Sequence, residues 1–178
     1  MHVEQFDVWA LLPENAGRNY EYIAGEVVEK RVANAYSSII TARVTRFVGG
    51  FIDDHDLGYV TNAVGGYVVN DERYIPDMGY IARQRQPEPP NAAYNPNAPD
   101  LAVEGVSPTD DLRELLIKVL NYLLAGTTVW VFDPLAKDVT VCEPGKKPHT
   151  LRADDTLNGG VLHGFSLSLK RIYKERLM

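Results

Sequence analysis

A short apolar run broken by one acid, Leu101-Ala102-Val103-Glu104-Gly105-Val106, constrains this chain more than any other stretch. Such runs suit a strand buried in the centre of a sheet. Side chains alternate across a strand, so Asp100, Ala102, Glu104 and Val106 share one face, and Leu101, Val103 and Gly105 the other. A carboxylate among such neighbours is costly to bury without a partner. The run therefore predicts a central strand and a partner for Glu104, a bound metal being one candidate. The plainer alternative is a strand-end glutamate paired with an arginine or a backbone amide.

Helix signals follow at once. Ser107-Pro108-Thr109-Asp110 reads as a helix start, with a serine cap, a proline in the first turn and an acid three residues after the cap. The helix is expected to run to about Ala125 and stop at Gly126. Its core stripe is expected to be Leu112, Leu115, Leu116, Val119, Leu120, Leu123 and Leu124. Asp111, Glu114, Lys118 and Tyr122 form an adjoining flank. Read alone, Lys118 is an exposed partner of Glu114.

Elsewhere, Phe6 to Leu12 reads as a short amphipathic helix ending near Pro13. Two strands, 20–24 and 26–30, join at Gly25. Residues 35–54 carry helical periodicity, with Gly49-Gly50 weakening its end. Strands are expected at 57–61, 66–69 and 77–82, with a polar turn at 70–73. Residues 84–99, rich in proline and asparagine, read as a loop without periodicity. A hairpin is expected from Thr127–Phe132 and Val139–Cys142, then short strands and a basic tail, Lys170, Arg171, Lys174 and Arg176. Strands mixed with two long helices give an α/β sandwich.

At 178 residues, the chain fits a single domain, 1–178. No apolar run approaches the roughly 20 residues that span a bilayer, and the first residues lack the features of a secretory leader. The lone cysteine, Cys142, excludes an intrachain disulfide and a cysteine-rich zinc site, and it alternates with Val139 and Val141 as a buried structural thiol would. A cytoplasmic setting follows most simply. The net charge of −6 argues against a broadly basic nucleic-acid surface. Acidic metal ligands contribute to that total, and a bound cation offsets it locally.

The acids that carry chemistry are Asp77, after Pro76, and Glu104. Two converging carboxylates hold a hard divalent cation, and a cation with an ammonium activates water and steadies a phosphate. With Lys118, they suggest metal-dependent phosphodiester cleavage. The four histidines are scattered without metal-ligand spacing, and neither a Walker loop nor a Gly-x-Ser-x-Gly elbow is present.

Several stretches in order complete a pattern: Tyr20-Glu21-Tyr22-Ile23-Ala24-Gly25-Glu26-Val27-Val28-Glu29-Lys30, Tyr74-Ile75-Pro76-Asp77, Pro99-Asp100 through Glu104 to Ser107-Pro108, Lys118 with Tyr122, Ala125-Gly126, and Val129 to Pro134. From about Phe6 to Leu169 the chain resembles the Uma-two family of restriction-endonuclease-like proteins, within the PD-(D/E)XK nuclease superfamily. The resemblance implies an α/β, restriction-endonuclease-like fold with a mixed central sheet flanked by helices. It makes Asp77 the first metal-binding aspartate and Glu104 the acid of the second half-motif, with Mg²⁺ or Mn²⁺ as cofactor. A carbonyl of Gly105 or Val106 would complete the metal's inner shell. The superfamily's lysine usually stands two residues after that acid; Val106 occupies the position here, and Lys118 looks like its relocated substitute. Glu26 matches a further acid, and Tyr122, one turn beyond Lys118, is placed to orient it. Ala24, where Asp is frequent, and Gly105, where valine is usual, depart from the family pattern.

The implied activity is hydrolysis of nucleic acid, with DNA the first expectation and 5′-phosphate and 3′-hydroxyl products. A homodimer is compatible with double-strand cutting, and no membrane partner is expected. Two other readings use the same residues: a noncatalytic binding or assembly module that retains the nuclease fold, and a metal-dependent hydrolase of another substrate.

Overall fold

The computed structural model describes residues 1–108 and 110–174. Thr109, in the expected helix start, and Arg176, in the basic tail, lie outside the described residues.

The helices are α1 (Val3–Trp9), α2 (Ala35–Asp54) and α3 (Leu112–Leu124). The strands are β1 (Tyr20–Ile23), β2 (Glu26–Glu29), β3 (Gly58–Asn62), β4 (Gly66–Val69), β5 (Glu72–Tyr74), β6 (Met78–Ala82), β7 (Tyr94–Asn95), β8 (Leu101–Gly105), β9 (Thr128–Asp133), β10 (Asp138–Cys142), β11 (His149–Arg152), β12 (Thr156–Asn158) and β13 (Ser166–Ser168). One sheet has the order β11-β10-β9-β8-β6-β3, and another the order β2-β1-β5-β4-β7. β12 and β13 pair separately.

As its composition predicts, β8 is interior to its sheet, parallel to β9 and antiparallel to β6. Its alternation divides the core. Leu101 and Val103 pack with Ile40, Val44, Val48 and Ile52, an every-fourth-residue row on α2. Ala102 packs on the other side with Val119 and Tyr122 of α3 and with Tyr67 and Tyr74. Glu104 shares the face of Ala102, so it points toward α3.

The chain crosses from one sheet to the other at Ile75-Pro76-Asp77, between β5 and β6. Proline has no N–H to offer a ladder and suits an exit from a strand. The hairpin of β1 and β2 turns at Ala24 and Gly25, both at positive φ (52° and 84°). Two consecutive positive φ values define the tight turn that matches strand twist, easy for glycine and strained for alanine.

Several expectations need correction. The first helix ends at Trp9, and a 3₁₀ turn, Pro13–Asn15, follows. The turn expected at 70–73 is shorter, since Glu72 and Arg73 already belong to β5 and Asn70 supplies the positive φ. Within the 84–99 loop, Tyr94–Asn95 pairs in parallel with β4. The helix cap is Asp111, whose side chain accepts from the Arg113 N–H. Ser107 instead closes a separate turn with Asp110 through Ser107 N to Asp110 Oδ2 at 2.7 Å. On α3 the expected core stripe is largely turned outward: Leu112, Leu116, Leu120 and Leu124 are exposed, whereas Lys118, Val119 and Tyr122 are buried. Buried carboxylates on the sheets need a cation, and that need rotates Lys118 inward.

Candidate functional site

Asp77, Glu104 and Lys118 line one open pocket. Each arrives from a different element: the crossing between the sheets, the central strand and the helix behind it. Lys118 Nζ lies 2.8 Å from Glu104 Oε1 and 2.9 Å from Glu21 Oε1. All three side chains are less than a tenth exposed. The expected exposed pairing of Lys118 with Glu114 is therefore replaced by a buried clamp. The approach to Glu104 Oε1 is close enough for an ion pair but poorly directed for a hydrogen bond, so that oxygen has no well-aligned donor among the described residues.

Asp77 is fixed at both oxygens. Oδ1 accepts from Lys30 Nζ at 3.0 Å, and Oδ2 accepts from the Gly105 N–H at 2.9 Å. Its own N–H donates to the Val103 carbonyl at 3.0 Å, which ties the crossing to β8. Lys30 also donates to the Ile75 carbonyl at 2.6 Å. Glu21 Oε1 accepts from the Ile75 N–H at 2.7 Å. Gly105, the departure from the family's valine, has a local reason: a Cβ there would stand 2.6 Å from the Thr41 Cγ2 and 3.2 Å from Asp77 Oδ2.

The Glu104 carboxyl is raised to about 7: burial pushes it up most, Lys118 opposes that, and Asp77 adds to it. For Lys118, burial disfavours the charged form, but Glu104 and Glu21 outweigh it and hold the ammonium above its ordinary value.

Two residues of this pocket escaped the sequence reading, Glu21 and Lys30. Glu21 had a usable signal: it is an acid inside the apolar run Tyr20–Ile23, the same anomaly that exposed Glu104. Lys30 carried none. Glu26 is exposed on β2 and does not line the pocket. Tyr122 is fully buried against Tyr74, with ring centroids 5.2 Å apart, and its hydroxyl has no hydrogen-bond partner among the described residues. No hydrogen bond links it to Lys118, so an orienting role has no polar contact behind it.

Among the described residues, no cluster of three or more His, Cys, Asp or Glu side chains is arranged to hold a metal. The expected ligand set is smaller, two carboxylates, and its chemistry suits a hard divalent ion. Asp77 and Glu104 repel one another, Glu104 Oε1 lacks a directed donor, and seven acidic side chains against three basic ones line the pocket. Such an excess of negative charge attracts cations. The Val106 carbonyl already accepts the Ser37 hydroxyl at 2.9 Å, which favours Gly105 as the backbone donor of the pair.

Several basic residues away from this pocket are paired with acids of their own. Arg83 pairs with Asp56, Arg85 with Asp100, Lys146 with Glu143 and Lys170 with Asp154. Cys142 is buried, and burial pushes its thiol up, as expected of a structural cysteine. No helix among the described residues is long and apolar enough to cross a membrane.

A mixed sheet whose interior strand turns a glutamate toward a helical lysine, beside an aspartate at the sheet crossing, places this molecule among the restriction-endonuclease-like α/β proteins. The chain belongs to the Uma2 family, described as "Putative restriction endonuclease", whose model matches residues 3–170. Its fold is similar to that of a crystal structure from Anabaena variabilis ATCC 29413, described as "a putative nuclease belonging to DUF820". That match has a TM-score of 0.83 and 20% identity, covering 97% of each chain. Among curated proteins there is no match.

Proposed function

We propose that this chain is a metal-dependent endonuclease that hydrolyses phosphodiester bonds of nucleic acid, with DNA as substrate, using Asp77, Glu104 and Lys118. The convergence of these three side chains on one pocket carries the reading. Asp77 and Glu104 would hold Mg²⁺ or Mn²⁺. Once bound, that ion would polarise the scissile phosphate and acidify a water. Lys118 supplies fixed positive charge beside the carboxylates, where negative charge builds on the phosphate during attack. Glu21 keeps its ammonium in place. Gly105 fixes the carboxylate plane of Asp77 through its N–H. Two copies related by a two-fold axis would present two such sites to a duplex, and the setting would be cytoplasmic.

The test is cleavage of supercoiled plasmid and short duplexes with Mg²⁺ or Mn²⁺, comparing the unaltered protein with Asp77→Asn and Lys118→Met, each checked for folding by circular dichroism. Folded variants without cleavage, beside an active parent, support the assignment. Cleavage that survives both changes sinks it. Light scattering after size exclusion reports the pairing.

A noncatalytic module with the same fold remains the second reading. One observation favours it: Lys118 is clamped between two carboxylates, and its side chain is only 7% exposed, so little of the ammonium faces a substrate. Calorimetric titration with Mn²⁺ separates the two, because a module that has lost catalysis shows no site dependent on Asp77 and Glu104.

A further inference from the structure

The pocket holds two lysines in unequal circumstances. Lys118 is shared by two carboxylates and lies deep behind β8. Lys30 is more exposed, with its side chain at 18%, and it contacts one carboxylate oxygen and one backbone carbonyl. That oxygen is Asp77 Oδ1. The other oxygen of Asp77 is committed to the Gly105 N–H, a backbone contact that cannot swing away. Oδ1 is thus the face of Asp77 open to exchange, and an ammonium covers it. Lys30 follows β2 directly at the pocket wall, on a flexible four-carbon stem that can leave without disturbing a strand.

We propose that the Lys30 ammonium competes with a divalent cation for Asp77 Oδ1, so that Lys30 sets how tightly the pocket binds metal. This rests on the reading of Asp77 and Glu104 as metal ligands. The physical reason is simple. A carboxylate already paired with an ammonium must give up that pairing before its oxygen can coordinate an ion, and a positive charge this close also repels a second one. Lys30 thereby keeps an acid-rich pocket from seizing adventitious cations, and it turns metal loading into an exchange of one cation for another. Its second contact, to the Ile75 carbonyl, gives the displaced ammonium a place to remain beside the site.

Mn²⁺ affinity, measured by calorimetry or by the spin-resonance signal of free Mn²⁺, tests this without reference to cleavage. Lys30→Met removes both charge and hydrogen bond. Lys30→Gln removes the charge and retains an N–H donor. Both are expected to tighten Mn²⁺ binding on the order of tenfold, with Asp77→Asn abolishing the gain. Unchanged or weaker binding in both, while the unaltered protein keeps a site sensitive to Asp77→Asn, overturns the role of Lys30 and leaves the metal reading intact. Tightening by Met but not by Gln assigns the effect to the hydrogen bond and overturns charge competition. If no Asp77-dependent site is found in any of the proteins, the metal reading falls first and takes this inference with it.

Discussion

Lys118 Nζ, on α3, stands 2.8 Å from Glu104 Oε1, on β8, and both side chains are almost wholly buried. Glu21 closes the other side of the ammonium at 2.9 Å. Paired burial of this kind contributes little net stability over an apolar core, but removing one partner strands the rest.

Lys118→Met is accordingly expected to destabilise the protein by about 3–5 kcal/mol, because Glu104 and Glu21 would be left buried and uncompensated. Urea unfolding followed by circular dichroism measures this. The triple change Glu21→Gln, Glu104→Gln and Lys118→Met should recover much of the loss. A Lys118→Met protein as stable as its parent would contradict the buried clamp.

The Glu104 carboxyl, held at about 7 against an ordinary value of 4.5, gives stability a pH dependence in metal-free buffer. Between those values the folded chain keeps a proton that the unfolded chain has released. Stability from this group is therefore fully present below pH 4.5 and declines as pH rises toward about 7. Thermal unfolding of the parent, compared with Glu104→Gln across that window, should show the decline in the parent alone. A difference between the two proteins that does not vary with pH would contradict it.

Tyr122→Phe should be neutral or stabilising by about 1 kcal/mol, since it deletes a buried hydroxyl without a partner and keeps the ring packed on Tyr74. Plasmid cleavage by the folded variant should match the parent. A large loss of cleavage at unchanged stability would support the orienting role that the resemblance suggests.

Gly105→Ala should shift the Thr41 methyl or the β8 backbone, since its Cβ would meet Thr41 Cγ2 at 2.6 Å. A loss of about 1–3 kcal/mol is expected for overpacking of this kind. Pairing it with Thr41→Ser, which removes that methyl, should return most of the stability in a double-mutant cycle.

Much of this molecule was readable from the chain. The acid in Leu101–Val106 pointed to an interior strand and to a partner for Glu104, and alternation put Glu104 on the face of Ala102, away from Leu101 and Val103; only the structure shows that this face meets α3 rather than α2. The row of apolar residues on α2 was equally clear. The leucines of α3 misled, because hydrophobicity covers too broad an arc of that helix to say which side faces inward. The charge on the sheets decides it, and that charge includes Glu21, far away in sequence. Lys30 was invisible for the same reason, since its partner Asp77 lies beyond α2 and three further strands. The cap at Asp111 was missed because Ser107 and Asp110 satisfy one another, leaving the next acid to start the helix.

The chain leaves one sheet and enters the next at Ile75-Pro76-Asp77, and the side chains grouped there come from both sides of that passage. Glu21 and Lys30 hang from the first sheet, Glu104 from the second, and Lys118 reaches between them. The groups of the candidate site are thus also the rivets joining two plates. An alanine scan would confound lost chemistry with a loosened joint, so exchanges that conserve shape and total charge are the informative way to dissect this centre.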